Sequence, residues 1–205
     1  EGSINGTIFH RLDFLNYHGN KFKSSEHHLM WFKRNKIIAC LPFSILKEQN
    51  NLVGKSPYGG SFGGIVYAKN LSYEESNDII TSLINYLKDL KLSKLIITPS
   101  LNYNNHSNII EFSCLRNGFN IINNEANHII DMKNNFKGIR TLLRKSTFRN
   151  YKKSINNGVK VKLYSEDING FWKILNSTFE KFQSKPTHSF SEWKFLMDNF
   201  RNKIH

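Results

Sequence analysis

Two cysteines and four prolines in 205 residues leave this chain with few covalent or conformational staples. Cys40 and Cys114 both lie in apolar stretches, and two thiols are too few to hold a chain of this length, so the sequence predicts buried free thiols and a reducing, cytoplasmic setting. Long apolar runs are missing too. Nothing approaches the roughly 18 consecutive apolar residues a spanning helix needs, and no basic-then-apolar leader precedes a small-residue cleavage site. Four Asn-x-Ser/Thr triplets, starting at Asn5, Asn70, Asn105 and Asn176, carry no message about secretion in a chain this rich in Asn, Ser and Thr. Enough apolar material remains to build a core, with 39% hydrophobic and 13% aromatic residues.

Acidic residues are scarce in one place. Residues 1–130 hold 13 Lys/Arg against 10 Asp/Glu, whereas residues 131–205 hold 16 against 6, so +10 of the net +13 falls in the last third. From Lys137 to Ser165 there are nine basic residues and no acidic one. Such a run is either a solvated helix face or a cationic surface for phosphates.

Glycine is sparse as well, but unevenly so. Four of the 12 fall within positions 59–64, in the stretch Lys55-Ser-Pro-Tyr-Gly-Gly-Ser-Phe-Gly-Gly64. Glycine supplies positive φ and close backbone approach at an entropic cost, so the cluster reads either as a special turn or as the wall of a binding site. As a wall, it would offer Tyr58, Gly59, Gly60, Ser61 and Gly63 to a substrate; as a turn, Tyr58 would be a half-buried aromatic.

Periodicity supplies the frame. Leu29–Pro42 reads as two strands joined at Arg34-Asn35, and Gly64–Tyr67 as a short buried strand. Ser72-Tyr-Glu-Glu75 has capping-box form, and Ile79, Ile80, Leu83, Ile84, Leu87 and Leu90 make one helical stripe. Lys94–Thr98 follows as a strand, then a helix over about Asn108–Arg116 that stops at Gly118. Phe119–Ile122 and His128–Met132 read as strands, Phe136–Asn156 as one long helix, and Val159–Tyr164 as a strand. Helices follow over 167–182 and from the Ser189-Phe-Ser-Glu192 capping box onward. The expected fold class is α/β, a mixed sheet flanked by helices.

Leu115-Arg-Asn-Gly-Phe119 followed by His128-Ile-Ile-Asp-Met132 resembles the closing helix, turn and strand of GNAT-superfamily acyltransferases. Residues 143–161, "LRKSTFRNYKKSINNGVKV", resemble the basic helix and following strand that join the two GNAT-like domains of Fem-type aminoacyltransferases. Residues 185–196, "KPTHSFSEWKFL", are similar to a Pro-Thr-His-Ser helix start in a bacterial branch of GNAT acetyltransferases that also carries a similar glycine loop. The resemblance implies a first GNAT-like domain over 1–132, a basic connecting helix over 133–158, and the start of a second such domain over 159–205. It implies an N-acyltransferase moving an acetyl or aminoacyl group from acetyl-CoA or aminoacyl-tRNA to an amine. The acceptor would be a phosphorylated or nucleotide-linked sugar or a peptidoglycan precursor. The Arg/Gln-x-x-Gly-x-Gly/Ala turn with which CoA-binding relatives seat a pyrophosphate does not occur here. By that resemblance the donor site falls to the second copy of the fold, and this chain alone would be inactive.

Arg140, Arg144 and Arg149 are the expected phosphate contacts, because a guanidinium fork matches phosphate geometry better than an ammonium does. His188, after Pro186-Thr187, is the weak candidate for a general base, with local capping as its other role. No His/Cys/acid spacing suggests a metal, and no nucleophile motif appears. The sequence leaves two other functions open: a non-catalytic tRNA binder that uses the basic helix, and a scaffold domain.

Overall fold

The computed structural model describes residues 2–101, 108–130, 138–161, 167–200 and 203. The chain forms two compact units. Unit 1 is Glu1–Ile122 with Ser191–Leu196, and unit 2 is Asn123–Phe190 with Met197–His205.

Unit 1 is a mixed α/β layer structure. Strands β1 (Glu26–Lys33) and β2 (Lys36–Glu48) form the expected hairpin, with Trp31 facing Ala39 and Lys33 facing Lys36. Its two-residue turn places Arg34 at φ 46° and Asn35 at φ 61°, the left-handed pair that matches strand twist. Strand β3 (Asn51–Ser56) turns back antiparallel on β2, β4 (Val66–Tyr67) also pairs with β2, and β5 (Lys94–Ile97) lies parallel to β3. The order is β1-β2-β3-β5, with β4 beside β2.

Helix α2 (Tyr73–Asp89) makes the crossover to β5, opened by the capping box in which Ser72 Oγ accepts from Glu75 N and Glu75 accepts from Ser72 N. Its stripe of Ile79, Ile80 and Leu83 is buried against Ala39, Leu41, Phe43 and Tyr67 of the sheet and Ile65 just before β4, forming the core of unit 1. Helix α3 (Ile109–Arg116) runs against α2, where small side chains allow a close approach and Ser76 Oγ meets Ser113 Oγ at 2.6 Å. It ends as expected at Gly118, φ 90°. Before β1 comes a segment of short turns that the apolar pattern did not announce: Ile8–His10, helix α1 (Leu12–Leu15) and Asn16–His18.

Four expectations fail. Residues 119–122 and 128–130 form no strand, and Ile121 and Ile122 are exposed; 131 and 132 lie outside the described residues. An apolar run becomes a strand only where an edge accepts its backbone hydrogen bonds, and among the described residues no strand of the sheet pairs with this run. Residues 159–161 are likewise not a strand, and 162–164 lie outside the described residues. The single helix expected over Phe136–Asn156 is two: α4 (Ile139–Leu142) and α5 (Lys145–Asn156), with 136 and 137 outside the described residues. Leu143 and Arg144 between them are extended, with ψ 136° and 148°. The corner is held by the Arg140 guanidinium, 4.6 Å from the centre of the Phe148 ring. Helix α6 (Ile168–Lys181) appears where it was expected, capped by Asp167, whose carboxylate accepts from Gly170 N at 2.7 Å. Helix α7 (Phe190–Phe200) follows.

Candidate functional site

Strands β3 and β4 run along the same flank of β2, and the glycine segment interrupts them. Ser44 of β2 faces Lys55; five residues back along β2, Ala39 faces Tyr67, twelve residues on, so seven residues are looped out of one continuous ladder. The gap falls at Leu41–Phe43, and Pro42, which has no N–H to donate, sits in it. Ser56 closes the gap with its buried hydroxyl, which donates to Pro42 O at 2.6 Å and accepts from Gly64 N at 2.8 Å. On the other flank, Thr98 N donates to Ser56 O and Gly63 N to Thr98 O, each at 2.8 Å. The loop therefore stands at the carboxyl ends of the parallel pair β3 and β5.

Its glycines receive the protein's own groups. Gly59 has φ 76°, and a Cβ there would lie 1.8 Å from His18 Nε2, so the imidazole occupies the space a side chain would need. At Gly63 a Cβ would lie 2.4 Å from the Pro57 nitrogen, which makes that position a crossing of two backbones. Gly59 O accepts from the Tyr17 hydroxyl and from His18 Nε2, the latter at 3.1 Å. On its other side, His18 Nδ1 lies 3.0 Å from Glu192 Oε1 of α7. A carbonyl only accepts, so Nε2 is the nitrogen that donates to Gly59 O, and Nδ1 faces the Glu192 carboxylate. Both ring nitrogens are thus engaged, in a site where the His18 side chain is 3% and that of Glu192 13% exposed.

Around this dyad runs a chain of aromatic contacts. Ring centres lie 5.3 Å apart for Phe9 and Phe14, 5.2 Å for Phe14 and Tyr17, 4.9 Å for His18 and Phe22, and 5.5 Å for Phe22 and Tyr58. Tyr58 is buried, and its hydroxyl donates to Glu26 Oε1 at 3.2 Å. Burial, reinforced by the carboxylates Glu192 and Glu26 respectively, holds the phenols of Tyr17 and Tyr58 well above their ordinary pKa. His10 stands at the same loop. Burial pushes its pKa down, with backbone groups of Gly63 and Thr7 opposing, and its Nε2 is buried without a hydrogen-bond partner among the described residues.

The residues expected to line a site separate into two sets. Tyr58, Gly59, Gly60, Ser61 and Gly63 share the loop of unit 1, where Gly59 and Ser61 are exposed at its tip, Gly60 is half-buried and Tyr58 and Gly63 are buried. Arg140, Arg144 and Arg149 are exposed in unit 2, Arg140 against Phe148 and Arg144 as the residue preceding α5. His188, half-buried, also belongs to unit 2, two residues before α7. Sequence reasoning missed His18, Tyr17 and Glu192. Glu192 read as one half of a capping box, and nothing local ties residue 18 to residue 192.

Elsewhere, a shallow depression of about 430 Å3 among Glu48, Gln49, Asn51, Val53, Ser93 and Lys94 lies at the amino ends of β3 and β5. Its carboxylate, Glu48, is already paired with Lys55 at 2.5 Å and Lys94 at 3.6 Å. Cys40 and Cys114 are free thiols, and burial pushes Cys114 up to about 11, so neither presents a reactive thiolate. Among the described residues no group of three His, Cys, Asp or Glu is placed to hold a metal, and no helix is long and apolar enough to cross a membrane. No family model, curated protein or solved structure matches the chain.

Proposed function

We propose that the chain is part of an N-acyltransferase of the GNAT or Fem type, transferring an acetyl or aminoacyl group from acetyl-CoA or aminoacyl-tRNA to an amine. The acceptor is a phosphorylated or nucleotide-linked sugar or a peptidoglycan precursor. One observation carries the reading: an antiparallel meander crosses over through α2 to the parallel strand β5, so that the glycine loop leaves the carboxyl end of β3 beside the carboxyl end of β5. In open α/β sheets that end is where loops gather and ligands bind. Gly59 and Ser61 are exposed there. In direct attack the new amide C–N bond forms as the thioester C–S or ester C–O bond of the donor breaks, backbone donors polarise the carbonyl, and the amine proton passes to a base or water chain and on to the departing thiolate or tRNA hydroxyl. Arg140, Arg144 and Arg149 are the proposed acceptor phosphate contacts.

The His18–Glu192 dyad acts in this reading as a positioning pair. With both ring nitrogens bonded, it pins Gly59 O and fixes the loop, and it does not itself take the proton of the amine. Isothermal titration of the full-length protein with acetyl-CoA, aminoacyl-tRNA and a nucleotide-sugar tests the proposal. Saturable binding of one donor and of the sugar, the latter weakened at least tenfold by Arg144→Ala with Arg149→Ala, supports it; no donor binding overturns it. The non-catalytic reading is favoured by a separate observation, the basic helix α5, none of whose residues is buried. It predicts tRNA binding with a steep salt dependence and no transfer.

A further inference from the structure

We propose that helix α5 is an interfacial anchor that lies on an anionic phospholipid surface. The inference does not depend on the acyltransferase reading. The helix has no buried residue. At 100° per residue, its side chains sort into three sectors. Phe148, Tyr151 and Ile155 fall together; Phe148 is half-buried beneath the Arg140 guanidinium, while Tyr151 is 56% and Ile155 52% exposed. Beside them lie Lys152, Lys145, Arg149 and Lys153, all exposed. The remaining sector carries only Ser146, Thr147, Asn150 and Ser154.

A helix built for water alone has no use for an exposed aromatic and aliphatic strip, and one built for a protein core would bury it. A strip bordered on one side by cations fits a boundary where acyl chains meet anionic headgroups. The charge is of one sign throughout: residues 138–161 hold seven Lys or Arg and no acidic residue, which complements the negative potential of such a surface. Leu142, Val159 and Val161, just outside the helix, are exposed as well. These aliphatics separate the lipid reading from a nucleic-acid one. Nucleic acids reward cations and aromatic stacking, and offer nothing to Ile155, Leu142 or Val161.

The geometry also limits the strength. One short helix with two exposed apolar side chains is a reversible anchor, in which charge brings the chain to the surface and the apolar strip keeps it there.

The test is co-sedimentation of the full chain with phosphatidylcholine vesicles, with and without phosphatidylglycerol. Binding is expected only to the anionic vesicles. Replacing Arg149, Lys152 and Lys153 together by Ser should weaken it about a hundredfold, from roughly one factor of five per cation. Replacing Tyr151 and Ile155 together by Ser, which leaves every charge in place, should weaken it at least about tenfold. Because neither set touches a buried residue, the unfolding midpoint should stay unchanged. Three results would overturn the proposal: no binding to anionic vesicles, binding indifferent to Tyr151→Ser with Ile155→Ser, or tighter binding to single-stranded RNA that the same pair leaves intact. Loss of acyl transfer alone would leave it standing.

Discussion

Helix α2 of unit 1 and helix α5 of unit 2 are both amphipathic, yet they end in opposite circumstances. In α2 the side chains of Ile80 and Leu83 are fully buried against the sheet; in α5 no side chain is. Helix α6 repeats the contrast, with Ile174 70% exposed. An amphipathic pattern therefore states which face wants to leave water, and not whether anything is there to receive it. In unit 1 the receiver is a five-stranded sheet. A 12-residue helix with no buried residue is marginal in water, so α5 should open more readily than α2.

The largest effect that sharpens this contrast is a truncation made in both units. Leu83→Ala should destabilise unit 1 by about 3 kcal/mol, since it removes a fully buried side chain, whereas Ile174→Ala should fall within about 0.5 kcal/mol. Urea unfolding of the two variants compares them directly. A loss at Ile174 as large as that at Leu83 would break the contrast.

Next in size is Gly59→Ala, which asks whether the glycine loop is as fixed as the core. Its positive φ and the 1.8 Å approach of His18 Nε2 together predict a loss of about 2 kcal/mol. Adding His18→Ala removes the collision but also the bond to Gly59 O, so the double variant should not regain wild-type stability. Recovery of the wild-type melting temperature would mean that the backbone conformation costs nothing.

A smaller change, Tyr58→Phe, removes the hydroxyl bond to Glu26 and should cost about 1 kcal/mol at neutral pH. Its pH dependence has a definite sign. The folded phenol stays neutral above the value of about 10 at which an unfolded tyrosine ionises, so stability declines as the pH rises beyond about 10. Tyr58→Phe should make that alkaline decline shallower, as read from melting temperatures.

The smallest effect belongs to His10. Its folded pKa is depressed by burial, so the unfolded state takes up the proton first, and stability falls as the pH drops below about 6.5. His10→Asn should flatten that limb, whereas substitution of the exposed Arg149 should leave the acid profile unchanged.

Signals confined to one turn of chain proved readable. The Arg34-Asn35 hairpin, the Ser72–Glu75 capping box, the α2 stripe and the Gly118 stop each depend on neighbours within a few residues, and each formed as the sequence implied. The errors came where an outcome rested on a distant partner. Phe119–Ile122 has the composition of a strand and finds no strand to pair with among the described residues. The helix expected to run through Leu143 breaks there without a proline or glycine. The glycine loop drew notice for its residues, but its contents were hidden. What lies against Gly59 is an imidazole 41 residues away, held in turn by a carboxylate 174 residues from it.

The order of residues alone determined a mixed α/β chain, its hairpin, its principal helix and a basic segment without acid, because backbone preference, capping and periodicity are local. Only the tertiary structure decided that α2 is covered while α5 is bare, and that the glycines make room for His18. Burial depends on which surfaces meet, and no short stretch of sequence contains both sides of a contact.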